Sequence, residues 1–293
     1  MNTRTKAELI LFSTTFIWGS TFVVAKGVSE FVSPTFYIFL RFGIGAVLFL
    51  LFFFKELKGI NSRTLKKGII LGGMLGTGVI LQNIGIYQTT ASKAAFITGL
   101  MVLFTPIAQF VLEKRPPNLF NGIGILIVTF GLYLLTSPEG SGINFGDILV
   151  LTAAMIFGIF IVYMDIFSKD ENPFQLSFIQ IASTSLVALI VLPFEPFHFS
   201  PESYLFYLLL VYMGFFATVV TTFSQTRFQK ETTPTRAVII FTVEPVIASI
   251  LAYFFLQEIV GATGILGGIL IIFGILLSEF SEGISKKFGL NFN

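Results

Sequence analysis

Between Thr232 and Glu258 the chain reads TTPTRAVIIFTVEPVIASILAYFFLQE. Its apolar part is about 20 residues long, enough to cross a bilayer as a helix. Glu244 lies near the middle, directly before Pro245. A carboxylate at that depth costs about 2.5–3.5 kcal/mol on insertion scales, and such groups mark substrate or ion paths. Proline has no N–H, so the carbonyl of Phe241, four residues earlier, loses its helical donor. One short segment thus offers a titratable group and a free backbone acceptor at membrane depth.

The surroundings are equally apolar. Of 293 residues, 54% are hydrophobic and 12% charged, about half the charge of an ordinary soluble domain. The composition predicts an integral membrane protein. There is no cysteine, which excludes disulfides and thiolate metal sites. The single histidine, His198, lies in a polar connection, so no histidine metal cluster is expected. No cofactor, no metal and no nucleic-acid partner are expected. The 37 phenylalanines read as lipid-facing filler or as a genome bias. The first apolar run follows Arg4 and Lys6 and passes Val23-Val24-Ala25, a faint cleavage-site likeness. Its length, about 18 apolar residues, exceeds the 7–15 of a signal peptide, and it reads as a retained helix.

Hydrophobic runs between polar or Gly/Pro breaks give ten spans: 8–26, 34–54, 66–88, 93–112, 118–136, 146–167, 174–194, 202–226, 234–256 and 260–280. Uniform apolarity makes them helices, since barrel strands would alternate over about 10 residues. With ten spans, Arg4, Lys6, Lys55, Lys58, Arg63, Lys66, Lys67, Lys114, Arg115, Lys169, Arg227, Lys230, Arg236, Lys286 and Lys287 share one side. The other side holds Glu30, Glu139, Asp147, Glu195, Glu202 and Glu258, with Lys26 and Lys93 as its cations. By the positive-inside rule both termini are cytoplasmic.

The chain also repeats. Pro34 matches Pro173, and Trp18-Gly19 matches Phe157-Gly158, at an offset of 139 residues. TTASKAA from Thr89 matches TTPTRAV from Thr232 at 143, as Gly124, Phe130 and Gly131 match Gly267, Phe273 and Gly274. The change of offset places a four-residue insertion in a loop of the second half, where insertions are tolerated. The halves are 1–139 and 140–293, five spans each. Five is odd, so the second half enters the membrane inverted. Inverted repeats characterise transporters with a midplane site between the repeats. At offset 143 Glu244 faces Met101, and Pro245 lies one turn from the match of Pro106. The expected fold is all-α and symmetric; its chemistry is not.

Thr232-Thr233-Pro234-Thr235-Arg236-Ala237, Val243-Glu244-Pro245, Gln257-Glu258, Ile84-Gly85, Thr89 to Ala95, Phe96 to Leu100 and the opening FIWGSTFVVAK together resemble the drug/metabolite transporter superfamily. Their order and spacing are similar to its EamA-type permeases across nearly the whole chain. The resemblance implies a bacterial inner-membrane carrier of small polar or amphipathic molecules, often an exporter of amino acids or other metabolites. It implies spans 1–4 and 6–9 around a central cavity, with spans 5 and 10 packed outside it. Those two spans carry Gly122, Gly124, Gly131, Gly261, Gly264, Gly267, Gly268 and Gly274, and small residues let helices approach closely in lipid. Gly68, Gly72 and Gly76 form a similar face on the third span.

Candidate site residues follow from depth. Arg41 and Glu244 are ionisable groups toward the centre of their spans. Arg41 suits a substrate carboxylate; Glu244 suits an amine or the exchange of a coupling proton. The competing reading pairs them with each other or with backbone. Gln82, Asn83, Tyr87 and Gln180 are candidate cavity linings, against a role as helix-to-helix glue, and Gln180 aligns with Arg41 across the repeat. Ser183, Thr184, Ser185, Thr218, Thr221, Thr222 and Gln225 add polar groups, although Ser and Thr can bond their own helix. Trp18, the only tryptophan, either packs in the core or meets substrate. Lys26 and Lys93 read as snorkelling interface cations, and Asp165, which aligns with Lys26 across the repeat, as a structural acid near the other face, against a role as gate residues.

The expected function is a secondary transporter of a small molecule, an amino acid or similar zwitterion, working by alternating access as an exporter. No phosphate-cradling Gly-rich loop with its Lys is present, which argues against direct ATP use. An intramembrane enzyme lacks a visible nucleophile and base, so no catalytic residue is assigned. A channel or scaffold is the remaining alternative. The expected partners are a small-molecule substrate, the lipid bilayer and protons as candidate coupling ion; monomer and homodimer both stay open.

Overall fold

Capping side chains mark where the apolar runs become helices. Asn2 accepts from the Arg4 amide at the start of α1, Thr3–Gly27. Pro34, with its φ already set for a first turn, opens α2, Pro34–Phe53. Asn61 caps α3, Ser62–Gln88, and Thr90 caps α4, Ala91–Gly99. Helix α5, Met101–Glu113, follows α4 directly, and α6 is Leu119–Leu135. A reciprocal capping box of Asn144 and Asp147 opens α7, Phe145–Ser168. Asn172 and Pro173 open α8, Pro173–Val191. Helix α9, Tyr204–Gly214, runs through a π-helical turn, Phe215–Val220, into α10, Thr221–Phe228. Thr233 caps α11, Pro234–Phe241; α12 is Glu244–Leu256 and α13 is Ala262–Phe288.

This computed structural model describes residues 2–114, 119–135, 143–201, 203–259 and 261–288. Arg115, Glu139, Glu202, the side chains of Lys286 and Lys287, and the boundary at 139/140 lie outside the described residues. Among the described residues eight helical segments are long and apolar enough to cross a membrane: Thr3–Gly27, Pro34–Phe53, Ser62–Gln88, Ala91–Glu113, Phe145–Ser168, Pro173–Phe194, Tyr204–Glu231 and Pro234–Leu256. Shorter apolar helices, Asn121–Leu134 and Ala262–Leu277, occupy the fifth and tenth places. No strand occurs among the described residues, only an isolated bridge between Val32 and Phe199. The chain is a nearly all-helical, multi-pass membrane protein.

Two spans are broken rather than continuous. Helix stops at Leu100, between α4 and α5, and at Thr242–Val243, between α11 and α12. At the second break the amides of Thr242 and Val243 bond to Ile239 and Ile240, three residues back, instead of four. Pro245 then stands in the first turn of α12, where a missing N–H costs nothing. Pro106 differs: it lies inside α5, beyond its break.

Small residues set the helix spacing. A Cβ on Gly72 of α3 would lie 2.5 Å from the Ser183 Cβ and 2.6 Å from the Gln180 carbonyl of α8. That closeness lets Thr184 Oγ1 donate to the Gly72 carbonyl at 3.0 Å. Helix α6 packs along α13, where a Cβ on Gly131 would meet the Gly267 carbonyl at 2.8 Å. The remaining elements pack chiefly as α1 on α12, α5 on α7, α2 on α8 and α3 on α7, and they surround a cavity at mid-span.

Candidate functional site

The cavity has a volume of about 100 Å³. Its wall comes from α1, α2, α3, α4, α5, α7, the π turn, α10, α11 and α12, and among the described residues none comes from α6, α8 or α13. Trp18, Arg41, Gln82 and Glu244 all face it. A groove of about 510 Å³ between α12 and α13 is larger but carries no charged side chain, only Ser249, Tyr253 and apolar or glycine neighbours. The charged cavity is therefore the candidate site.

Arg41 is anchored by the π turn. Its Nε donates to Thr218 Oγ1 at 3.0 Å and its Nη2 to the Ala217 carbonyl at 2.8 Å. Its guanidinium also lies 5.2 Å from the centre of the Phe42 ring. A π turn displaces carbonyls from the regular ladder, and here it presents one to the arginine. Two of five N–H donors are engaged in this way. Glu244 sits across the same cavity in the first turn of α12, 8% exposed. Among the described residues no ion pair joins it to Arg41 and no hydrogen bond reaches its carboxylate. Gln82 Nε2 donates to Thr98 Oγ1 at 2.9 Å, and the Trp18 ring packs edge-on to Phe241 at 5.1 Å.

Asn83, Tyr87 and Gln180 do not line the cavity. Asn83 donates to the Val79 carbonyl of its own helix at 2.8 Å. Gln180 donates to Thr226 Oγ1 at 3.2 Å and to its own helix at Leu176; its backbone lies against Gly72 of α3. The Tyr87 hydroxyl is buried and has no hydrogen-bond partner among the described residues. Thr21, Thr98, Thr222 and Gln225 do line the cavity. Only the last two stood out in the sequence, as part of a polar run.

Lys93 is not a snorkelling cation. Its Nζ lies 2.7 Å from Asp147 Oδ2, with the acid buried and the lysine largely covered. Lys26 donates to the carbonyls of Ile86 and Tyr87 at the end of α3, where the helix dipole favours a cation. Asp165 pairs with Lys169 at 2.7 Å. At the end of the molecule away from Lys93, Glu8 Oε1 accepts from Arg236 Nε at 3.0 Å, Arg4 Nε at 3.0 Å and Thr232 Oγ1 at 2.7 Å. Glu8 gave no signal in the sequence, because an acid at the edge of a span resembles a solvated charge.

The family comparison matches residues 5–137 and again 144–280 to the EamA-like transporter family. The chain belongs to the EamA-like transporter family. An uncharacterized transporter of Archaeoglobus fulgidus is 36% identical over 177 residues, 60% of this chain and 54% of that protein. The uncharacterized transporter YoaV of Bacillus subtilis is 32% identical over 172 residues, 56% and 57% of the two chains. A protein of Chlamydia muridarum named S-adenosylmethionine/S-adenosylhomocysteine transporter is 28% identical over 134 residues, 44% and 42% of the two chains. The chain spans about half the length of the curated relatives it matches. A solved crystal structure superposes with a TM-score of 0.77 over 95% of this chain and 98% of that one, at 17% identity. That likeness concerns the fold. For this EamA-like chain, family and relatives point to a membrane transporter rather than an enzyme.

Proposed function

We propose that this EamA-like protein is a secondary transporter that moves a small zwitterionic metabolite, such as an amino acid, by alternating access. In this reading Arg41 binds the substrate carboxylate, and Glu244 binds its ammonium group or exchanges a coupling proton. One observation carries it: Arg41 and Glu244 line one cavity, yet among the described residues no ion pair joins them and no donor reaches Glu244. A structural bridge would pair them. The cavity, about 100 Å³, is below the ~300–1,000 Å³ of usual ligand sites, so loading an amino acid requires its walls to move. The named substrates of the Chlamydia relative both contain an amino-acid group, the same chemical class.

The architecture proposed is ten spanning helices in two inverted halves, 1–139 and 140–293, with both termini cytoplasmic. Matched contacts support it. A Cβ on Gly19 would meet Ile247 of α12, and one on Gly158 would meet Phe104 of α5, each at 2.7 Å. The glycines differ by 139 residues and their partners by 143, the two offsets of the sequence repeat. The breaks at Leu100 and Val243 also differ by 143. The location proposed is the plasma (inner) membrane of a bacterium. The direction proposed is export, which rests on the family resemblance.

Counterflow in proteoliposomes tests the reading. Radiolabelled amino acid should accumulate against an unlabelled internal pool, and Glu244→Gln should lose this while its abundance in the vesicles holds. Flux that rises linearly with concentration would favour a channel and overturn it.

A further inference from the structure

We infer that Glu8–Arg236 and Asp147–Lys93 are the two gates of the transport path, one closing each end of the cavity. The inference rests on the transport reading above and adds residues that reading does not use.

Glu8 and Asp147 differ by 139 residues; Arg236 and Lys93 differ by 143. These are the two offsets of the repeat, so the ion pairs are copies of each other. Their surroundings are copied too. Thr90 accepts from the Lys93 amide at 3.2 Å and Thr233 from the Arg236 amide at 3.3 Å. The Thr232 hydroxyl donates to Glu8, and Thr89 approaches Asp147. The TT-x-x-basic-Ala strings thus have one physical use at both places. Their second threonine caps a helix, their basic residue meets an acid, and their first threonine orients that acid.

Connectivity supplies the second step. Glu8 is on α1 and Arg236 on α11; Asp147 is on α7 and Lys93 on α4. Each pair therefore joins the first helix of one half to the fourth helix of the other. Neither pair lies within a half, so rocking the halves must break one and can leave the other intact.

Position is the third step. Glu8 lies ten residues before Trp18, and Asp147 ten before Phe157, each on one continuous helix. At a rise of ~1.5 Å per residue both acids are about 15 Å from residues that line the cavity. Arg236 and Lys93 each precede a lining residue, Glu244 and Met101, by eight positions. The two pairs stand at opposite ends of the cavity and at equal depth. Both are formed in this structure, at 3.0 and 2.7 Å, with all four side chains largely buried. It is a state with both ends latched.

The chain has no cysteine, so a single Thr98→Cys in the cavity wall reports access. It is labelled with a charged, membrane-impermeant maleimide in vesicles of each orientation. Asp147→Asn should raise labelling severalfold from the face far from the N-terminus and lower it from the other face. Glu8→Gln should do the reverse. Exchanging charges, Glu8→Arg with Arg236→Glu, should return labelling to that of the parent, which guards against a single variant that fails to fold. A shift in the same direction in both single variants, no shift, or a folded exchange that still labels like Glu8→Gln would overturn the gates. Reciprocal labelling in a protein that moves no amino acid would leave the gates standing and remove the transport reading. Transport with unchanged labelling would do the opposite.

Discussion

The segments Ala91–Glu113 and Pro234–Leu256 have the same backbone plan and different chemistry. Each starts at a capping threonine, carries a basic residue one turn in, runs about two turns and breaks. After the break the first segment presents Met101 to the cavity and the second presents Glu244. The breaks match although the prolines do not: Pro245 is in the turn after its break, whereas Pro106 is well inside α5. The broken helix is therefore a property of the fold, and proline only makes the second break cheap. The two segments share one backbone plan, and a single carboxylate distinguishes the wall that one of them gives to the cavity.

Altering the two groups one at a time tests this most severely. If Glu244 binds the substrate ammonium group as proposed, removing its charge deletes one charge-assisted contact, worth about 1.5–3 kcal/mol. Flux per protein in Glu244→Gln should therefore fall about ten- to a hundredfold, since 1.4 kcal/mol is about tenfold. Met101→Leu, at the matched position, should stay within about twofold. Equal losses in the two variants would mean that shape and not charge matters at the break.

Arg41 sharpens the comparison from the other wall. Its fork spans Thr218 Oγ1 and the Ala217 carbonyl, a geometry that an ammonium cannot copy. Arg41→Lys should keep the charge, lose the anchoring and weaken apparent substrate affinity by about tenfold, the worth of one lost contact of ~1–2 kcal/mol. Concentration dependence of counterflow checks this; an unchanged half-saturation would exclude a carboxylate contact at Arg41.

These two residues were legible because an ionised group inside an apolar run is costly wherever the helix turns. The amides were not. Gln82 and Asn83 are neighbours and point about 100° apart on a helix, so a narrow cavity takes one of them, and only packing decides which. Gln180 was obscured for a different reason. A glycine face reads as close approach, but not as the seat of a particular residue, and here the Gln180 backbone lies against Gly72 of α3 while its amide turns to Thr226. Glu8 and Asp147 lie at span edges, where burial depends on which helix arrives opposite. The helical architecture was easier to read, since apolar runs and the charges between them fix most of it.

The glycine seam between α3 and α8 joins the proposed halves, and its two neighbouring glycines differ sharply. A Cβ at Gly72 would press on Ser183 and the Gln180 carbonyl, whereas one at Gly73 would meet nothing within 4 Å. Gly72→Ala should lower stability in detergent by about 1–3 kcal/mol, the cost of overpacking. Gly73→Ala should be neutral or raise it by up to about 1 kcal/mol, the helix preference of alanine. Melting curves of the two variants separate the seam from ordinary lipid-facing glycine; similar shifts would remove it.

The smallest effect concerns a connection that is again unequal between the halves. Glu171, between α7 and α8, ties down the start of α3: it accepts from Thr64 Oγ1 at 2.5 Å and Lys67 Nζ at 2.7 Å. The position matching it by the 139 offset is the apolar Val32. Burial opposes ionisation of Glu171, but the hydrogen bonds from Lys67 and Thr64 and the charges of Lys67 and Arg63 outweigh it, so its carboxyl sits below the usual glutamate range. A group lowered on folding stabilises the folded state above its unfolded pKa, near 4.3, and loses that contribution as pH falls through the lower folded value. The parent should therefore melt above Glu171→Gln by a constant margin from about pH 5 to 7, and the margin should close as the pH is taken below about 4. A margin independent of pH down to 3 would mean that Glu171 acts through its shape and neutral hydrogen bonds, leaving no electrostatic asymmetry between the two connections.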